Sequence, residues 1–400
     1  MPSSSKLRPS SFVRVVYAFA VVMLGTTMPT PMYTLYADKL GFSIATSTVV
    51  FATYAAGVIA ALIGFGRWSD TVGRRPMLLA GLAFAMASSL VFFTAGSVWQ
   101  LLLGRALSGL SAGIFTGTAT ATIAEAAPPS WKARAMMVAA IANIGGLGLG
   151  PTLSGLLVQY GPAPLRLAFV VHLMMLAVAA FGLSTLNETV AVQPGARPTI
   201  QRLSVPLETR AVFLRVASAA FAGFCVISLF TAVVPTFLNQ TLGIHNKAIA
   251  GVLVTALFIA SASAQVLTRT MPVPKALILG CTGLVVGMLL ITMALAVESV
   301  LILVVGAVVA GFGQGASFVK GLGAVVVAAP PGRTGEVAST YFVVGYVAIS
   351  LPVIGMGFAA QCWSLPDAGM AFAVIVAGLA ALSLIGTVLA TRTRAEPQYV

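Results

Sequence analysis

The sequence predicts an all-α membrane protein with twelve transmembrane helices, arranged as two six-helix halves that repeat one another. Three observations predict this fold: the composition, the spacing of the apolar runs and an internal repeat. Of the 400 residues, 59% are hydrophobic and 8% are charged, whereas soluble domains are about half apolar and about a quarter charged. Because 22 basic and 9 acidic side chains cannot cover so apolar a chain in water, its predicted solvent is a lipid bilayer.

The spacing of the apolar runs gives the number of helices. A hydrocarbon core about 30 Å thick needs roughly 20 apolar residues per helix. The first run follows a basic, serine-rich segment, but it is long and eleven others follow it, so we expect an uncleaved helix and no signal peptide. Charged, Gly-rich and Pro-rich points separate the predicted spans, which are 13–36, 45–66, 77–96, 99–124, 135–159, 165–186, 211–238, 247–269, 275–297, 299–328, 337–360 and 367–390.

The basic residues predict the orientation of these spans. With a cytoplasmic N-terminus, seventeen Lys and Arg residues fall inside and only Lys39, Arg166 and Lys247 fall outside. Short cytoplasmic loops carry the excess of Lys and Arg, so both termini are predicted to be cytoplasmic. The same bias accounts for the net charge of +13, and we expect no nucleic-acid partner.

A repeat divides the chain into a first half at 1–186 and a second half at 211–400, joined by a polar cytoplasmic linker at 187–210. A shift of 202 residues aligns three separate landmarks, and one offset that serves three places indicates duplication. The aligned positions are Gly104, Gly109 and Gly113 with Gly306, Gly311 and Gly315, the run AAPP at 126–129 with 328–331, and Leu40-Gly41 with Leu242-Gly243.

The cysteines predict neither a disulfide framework nor a zinc site. Cys225, Cys281 and Cys362 lie far apart and form no C-x-x-C pair. We therefore expect no metal and no cofactor.

The connection at 66–76, GRWSDTVGRRP, places four charged residues and two glycines between apolar runs. The charge bias of cytoplasmic loops explains its arginines, but it explains neither Asp70 nor the glycines. Glycine is costly unless the backbone must turn tightly or approach another segment closely. The connection therefore predicts a specific contact.

Three motifs resemble those of the major facilitator superfamily, and the resemblance covers essentially the whole chain. The connection matches the pattern G-x-x-x-D-x-x-G-R-[KR], and the fourth span is similar to R-x-x-x-G-x-x-x-G. The fifth span, GGLGLGPTLSG at 145–155, is similar to the Gly-Pro motif of the twelve-helix drug/proton antiporters, although Ser154 and Met137 stand where that motif has Gly. The matching residues are Gly66, Asp70, Gly73, Arg74 and Arg75, then Arg105, Gly109 and Gly113, then Gly146, Gly150, Pro151 and Gly155.

The resemblance implies a secondary active transporter that moves a small amphiphilic or hydrophobic solute across the bacterial inner membrane by alternating access. Proton-coupled efflux by a monomer is the expected form, with the solute, protons and the bilayer as partners. An importer or facilitator of the same fold is the alternative within transport. A non-transporting membrane sensor is the alternative outside it.

The resemblance also implies that the 66–76 connection is a latch that closes the cytoplasmic face. Asp70 would dock at the N-terminus of the eleventh helix, expected to begin just after PPGRTGE, because a helix N-terminus attracts a carboxylate by about 0.3–1 kcal/mol. Arg74 or Arg75 would pair with a nearby acid. Glu125, at the inner end of the fourth span, is the candidate.

Arg105, Lys320 and His172 are ionisable residues placed inside spans, and each admits two interpretations. Arg105 either extends to the outer interface or faces a central cavity to serve substrate binding or proton coupling, and Lys320 has the same ambiguity. His172 is either a structural histidine or a proton carrier, since histidine titrates near neutral pH. No acidic residue lies in the middle of a span, which favours neutral or anionic substrates.

A central cavity would be lined mainly by spans 1, 4, 7 and 10, and by parts of 2, 5, 8 and 11. Apolar, aromatic and amide side chains of these spans are candidates for its lining. They are Tyr33, Tyr54, Phe115, Asn143, Phe230, Gln314 and Tyr346.

Two motif matches typical of enzymes are discounted by their context. GLSAG at 109–113 matches G-x-S-x-G, but Ser111 lies within a predicted helix and not in a strand–turn–helix elbow. GFGQGA at 311–316 has no βαβ unit around it. We therefore expect no enzyme.

Overall fold

A computed structural model describes residues 9–190 and 199–395, and within these ranges the chain contains helices and no strand. Twelve helices are long and apolar enough to cross a membrane, which confirms the predicted number. Their bounds are α1 (Pro9–Thr27 with Tyr33–Leu40), α2 (Ile44–Phe65), α3 (Arg74–Phe93), α4 (Val98–Ala126), α5 (Lys132–Tyr160), α6 (Leu167–Ser184), α7 (Leu207–Ser228 with Val234–Gln240), α8 (Lys247–Leu267), α9 (Val273–Ala296), α10 (Val300–Ala328), α11 (Thr334–Cys362) and α12 (Leu365–Ala395).

Helix starts repeat between the two halves. The Ser97 side chain caps α4 by accepting a hydrogen bond from the Gln100 N–H, and the Ser299 side chain caps α10 by accepting one from the Ile302 N–H. A serine N-cap is worth about 1 kcal/mol because it satisfies an N–H that has no partner within the helix. Since Ser97 and Ser299 are 202 residues apart, they add a fourth landmark to the repeat.

The first helix of each half is interrupted at the same position of the repeat. In α1 the α-helix ends at Thr27 and a 3₁₀ turn follows at Thr30–Met32, beside two prolines that lack the N–H an α-helix needs. In α7 a π-helical turn spans Leu229–Val233, and π turns inside α-helices are frequent at functional sites. A shift of 202 residues places this π turn over 27–31, the site of the α1 interruption.

The chain divides into two compact units. Unit 1 contains residues 1–32 and 53–201, and unit 2 contains residues 33–52 and 202–400. The hairpin 33–52, which consists of the last part of α1 and the first part of α2, thus belongs to unit 2. There Ser43 Oγ accepts a hydrogen bond of 2.8 Å from Gln361 Nε2, and a Cβ at Gly357 would overlap Thr48 Oγ1.

Glycines of α4 bring it into backbone contact with α2. A Cβ at Gly109 would overlap the carbonyl oxygen of Tyr54, and one at Gly113 would lie 2.6 Å from Ala61 Cβ. The contact ends there: Gly117 continues the four-residue spacing of Gly109 and Gly113, but no described atom lies within 4 Å of its Cβ position. In unit 2, Gly311 and Gly315 of α10 approach carbonyl oxygens of α8 in the same way.

Candidate functional site

Arg74 is the centre of a charged cluster in unit 1. Its side chain is 11% exposed, and its guanidinium lies 2.7 Å from an Asp70 carboxylate oxygen and 3.0 Å from Glu125 Oε1. Nη1 also donates to Ser69 Oγ at 2.6 Å. The structure therefore places Arg74, and not Arg75, against Glu125. We call Asp70, Arg74, Glu125 and Glu188 the gate cluster.

Local structure explains the two glycines of the connection. Gly73 has φ +112°, which side-chain-bearing residues rarely adopt, and a Cβ there would lie 2.6 Å from Glu188 Oε2. A Cβ at Gly66 would overlap the Leu62 carbonyl oxygen and lie 3.2 Å from Gln201 Cβ. Glycine is thus required at both positions for close approach, and at Gly73 for the turn as well.

Glu188 also belongs to this cluster, although its position in the predicted linker 187–210 gave no indication of a contact with α3. Glu188 Oε1 accepts a hydrogen bond from the Arg74 N–H at 2.8 Å, and Oε2 accepts one from the Arg75 N–H at 3.1 Å. These N–H groups belong to the first turn of α3, where a helix has no acceptors of its own. Arg75 directs its guanidinium to the Ser184 carbonyl oxygen.

The predicted start of α11 was wrong by a short distance. The helix begins at Thr334, inside the segment PPGRTGE and not after it. Glu336 therefore lies in its first turn and pairs with Arg333 at 3.1 Å. Docking of Asp70, whose side chain is 63% exposed, at this terminus stays a prediction.

Arg105 is buried inside unit 1. Its side chain is 2% exposed, Nη1 donates to the Thr26 carbonyl oxygen at 2.5 Å, and the guanidinium carbon lies 4.7 Å from the centroid of the Tyr54 ring. Thr26 is in the last turn of α1 before its interruption, where helix carbonyls lack N–H donors within the helix. Arg105 therefore does not extend to an interface, which removes one of its two predicted roles.

His172 is buried with both ring nitrogens in contact with polar atoms. Nε2 lies 3.0 Å from the Val21 carbonyl oxygen, and Nδ1 lies 2.7 Å from Ser89 Oγ. Because a carbonyl only accepts, Nε2 carries a proton, and in the neutral ring Nδ1 accepts from the serine hydroxyl. This arrangement fits a structural histidine in its resting form.

A polar cavity adjoins His172. It measures about 10 Å³, the size of one water molecule, and Ser89, Ser108 and Ser111 line it together with the imidazole. Ser111 Oγ is buried and has no hydrogen-bond partner among the described residues. The cavity thus has the size and the polar lining to admit one water molecule next to Ser111.

Lys320 caps a helix end in unit 2. Its Nζ donates to the carbonyl oxygens of Arg269 at 2.9 Å and Met271 at 2.7 Å, both just after α8. Lysine commonly satisfies the last carbonyls of a helix in this way. The structure thus favours the structural role for Lys320.

The Gly-Pro motif of α5 packs on α1. A Cβ at Gly146 would overlap the Ala20 carbonyl oxygen, and one at Gly150 would overlap the Leu24 carbonyl oxygen. Pro151 lies inside the helix and has no N–H for Leu147, four residues earlier. Thr27 Oγ1 supplies the missing donor to the Leu147 carbonyl oxygen at 2.7 Å.

In unit 2 a proline inside a helix likewise leaves a carbonyl oxygen that receives its hydrogen bond from another helix. Pro352 lies inside α11 and leaves the Ala348 carbonyl oxygen without a helical donor. The thiol of Cys225, in α7, donates to that oxygen at 3.5 Å. In both units the first helix of the half therefore completes the hydrogen bonds of a proline-containing fifth helix. Gly155, the last residue of the α5 motif, is buried.

Most of the predicted cavity residues are buried, and two are partly exposed. Tyr54 lies under Arg105, Phe115 contacts Phe19 at a ring separation of 6.4 Å, and Gln314 Oε1 accepts from Ser261 Oγ at 2.6 Å. The partly exposed residues are Asn143 and Tyr346, and the remaining buried ones are Tyr33 and Phe230.

Comparison with known proteins identifies the family. The family model of the Major Facilitator Superfamily matches residues 15–353. The tetracycline resistance protein, class E, of Escherichia coli is 32% identical over 134 residues, 33% of this chain and 33% of that protein. The inner membrane transport protein YajR of Escherichia coli (strain K12) is 37% identical over 95 residues, 24% of this chain and 21% of that protein. The matched segments thus span a third or less of these relatives.

A solved structure shows the same fold over the full length. A bacterial homologue of the human lysosomal transporter Spinster, in an inward-facing and unoccupied conformation, superposes with a TM-score of 0.76 at 16% identity, covering 99% of this chain and 100% of that chain. Twelve membrane-spanning helices, the loop motif around Arg74 and the family match along the chain agree. The chain belongs to the Major Facilitator Superfamily and is a multi-pass membrane protein.

Proposed function

We propose that this transporter exports a small amphiphilic or hydrophobic solute from the cytoplasm across the bacterial inner membrane, in exchange for protons and as a monomer. The contact between α5 and α1 carries the proposal. Gly146, Gly150 and Pro151 belong to a motif similar to that of the drug/proton antiporters, and each meets α1 or leaves a carbonyl for α1 to satisfy. The relatives named for tetracycline resistance and, as putative, for multidrug resistance support efflux.

The charges inside the spans support a neutral or anionic solute. No acidic residue of the sequence lies in the middle of a predicted span, whereas Arg105 is buried in α4. A buried cation attracts anions and repels cations, because charges interact strongly where water is excluded. A quaternary cation would find no carboxylate to neutralise it.

His172 is the proposed site of proton exchange. A proton that arrives through a water in the neighbouring cavity would turn Nδ1 from an acceptor into a donor and reverse its hydrogen bond with Ser89. The Val21 carbonyl would keep its bond to Nε2–H throughout. Arg105, six residues before Ser111 in α4, is the second proposed coupling residue.

Everted membrane vesicles test this function. An imposed proton gradient, acidic inside, is expected to drive accumulation of neutral or anionic amphiphiles from a panel that also includes quaternary cations, and collapse of the gradient should abolish it. Solute entry that stops at the outside concentration and does not depend on the gradient would indicate the alternative, a facilitator. Selective accumulation of quaternary cations would contradict the proposed solute class.

The gate cluster supports alternating access. We propose that Asp70 docks at the α11 N-terminus when the cytoplasmic side is closed, and exchanges that contact for Arg74 when it opens. Asp70→Asn is then expected to lower the transport rate and to increase labelling of cytoplasmic-side cysteines introduced in α4. Unchanged transport and unchanged labelling together would show that Asp70 is not a latch. Asp38→Asn, an exposed acid at the opposite end of its span, is the matched control.

A further inference from the structure

The Glu188 carboxylate accepts four hydrogen bonds from backbone N–H groups. Oε1 accepts from the N–H groups of Arg74, Thr189 and Val190, at 2.8, 2.9 and 3.3 Å. Oε2 accepts from the Arg75 N–H at 3.1 Å. Two of these bonds satisfy N–H groups in the first turn of α3, which have no acceptor within the helix.

Glu188 takes the place of a local N-cap side chain for α3. Gly73 precedes α3 and contributes no capping side chain, so the first N–H groups of α3 depend on a partner from elsewhere. That partner comes from 114 residues further along the chain. A Cβ at position 73 would lie 2.6 Å from Glu188 Oε2, so Gly73 is what admits the carboxylate.

The next residue ties the same segment to the rest of the gate cluster. Thr189 Oγ1 donates to Glu125 Oε2 at 2.6 Å, and the other oxygen of that carboxylate receives the Arg74 guanidinium at 3.0 Å. Glu188 and Thr189 thus hold the backbone and the side chain of Arg74 from two directions.

We propose that Glu188 is a positioning residue of the gate. It occupies the start of α3, fixes the direction in which the Arg74 side chain leaves the backbone, and so sets the geometry in which Arg74 pairs with Asp70 and Glu125. The segment that follows α6 is thereby part of the gate and not a passive linker. This inference rests on the proposed transport function.

Small carboxylates test the proposal by chemical rescue. Glu188→Ala leaves the N–H groups of Arg74 and Arg75 around an empty space that formate or acetate fits. The variant is expected to lose about tenfold in Vmax with little change in KM, at a temperature where it remains folded, and its thermal midpoint should fall by several degrees. Formate, compared with chloride at equal ionic strength, should restore at least half of both losses.

Two further variants keep the test decisive. Glu188→Gln preserves shape and removes charge, so it should show a smaller loss than alanine and no rescue by formate. Glu208→Ala removes an exposed acid from the first turn of α7 and serves as the matched control, with Vmax expected at the wild-type value.

Either of two results would overturn the inference: a Glu188→Ala loss no greater than that of Glu208→Ala, or losses that formate does not restore. If Glu188→Ala does not fold, an unimpaired Glu188→Gln would overturn it equally. Because the midpoint and its rescue need no transport, they separate this proposal from the proposed function. A rescued midpoint in a protein that moves no solute would refute the transport function and leave only a structural anchor at Glu188.

Discussion

Arg105→Ala is expected to lower the maximal rate of solute transport at least about tenfold while the protein still inserts and folds. Arg105 contacts the chain on both sides of the hairpin 33–52: its guanidinium donates to the Thr26 carbonyl oxygen and lies over the Tyr54 ring. A charged hydrogen bond is worth about 1.5–3 kcal/mol, and a desolvated cation–π contact adds about 2 kcal/mol. Loss of a fraction of this from the cycle gives the expected tenfold, since about 1.4 kcal/mol is a factor of ten in rate.

The reason for so large an effect is where these contacts lie. The chain leaves unit 1 after residue 32 and returns at residue 53. Arg105 contacts the segment before this exit at Thr26 and the segment after the return at Tyr54. Without the guanidinium, the end of α1 at its interruption and the start of the unit 1 part of α2 lose their common partner.

Rates of Arg105→Ala and Arg105→Lys, measured beside Arg166→Ala, check this expectation. Lysine keeps the charge but not the flat fork of arginine, so it should recover only part of the rate. Arg166 is exposed and lies over Phe93, and its removal should leave transport unchanged. Wild-type rates in Arg105→Ala would show that transport depends neither on the contacts of Arg105 with Thr26 and Tyr54 nor on a coupling role of Arg105.

Gly109→Val is expected to destabilise the protein by about 3 kcal/mol or more, the upper end of what overpacking costs. The new Cβ would overlap the Tyr54 carbonyl oxygen and lie 2.9 Å from Gly57 Cα. Backbone atoms cannot move aside as a flexible side chain does, so α2 and α4 must separate. The thermal midpoint of purified protein and its yield in membranes measure the effect.

Gly117→Val is the matched control for this substitution. It lies on the same helix at the spacing that continues the glycine stripe, and no described atom lies within 4 Å of its Cβ position. Both substitutions carry the same cost in helix propensity. A midpoint that falls equally in the two variants would show that propensity, and not the α2–α4 contact, sets the loss.

Local sequence pattern was sufficient for the helices and for one contact. The apolar runs gave twelve spans, since a span must be apolar along its whole length in lipid, and the charge and glycine anomalies of 66–76 pointed to a specific cluster. Two alternatives were left open there, and only the structure distinguished Arg74 from Arg75 as the partner of Glu125.

Contacts between distant segments were beyond local pattern. Glu188 follows α6 in a stretch that reads as linker, and its role depends on α3 arriving beside it 114 residues earlier in sequence. The signal that was available is the absent cap: α3 starts after a glycine, so its N–H groups required an acceptor from another segment. The π turn of α7 has no sequence signature as clear as the prolines of α1, and the repeat offset was the clue to it.

For the buried polar residues, the sequence showed that they lie within spans, but not which groups they contact. Their presence within spans was evident, because ionisable residues are rare in membrane helices. Whether Lys320 bound carbonyls or faced a cavity depended on the α8–α9 connection lying beside α10. The interruption of α1, which leaves the Thr26 carbonyl for Arg105, equally depends on tertiary packing.

The most direct test of proton-coupled transport is proton movement in liposomes that contain the purified protein, recorded with a pH-sensitive dye as neutral and anionic amphiphiles are added. Solute-driven proton counterflow is expected in the wild type, and a rate at least about tenfold lower is expected in Arg105→Ala. Solute movement without any proton movement would contradict it and would assign the protein to the facilitators or to coupling with another ion.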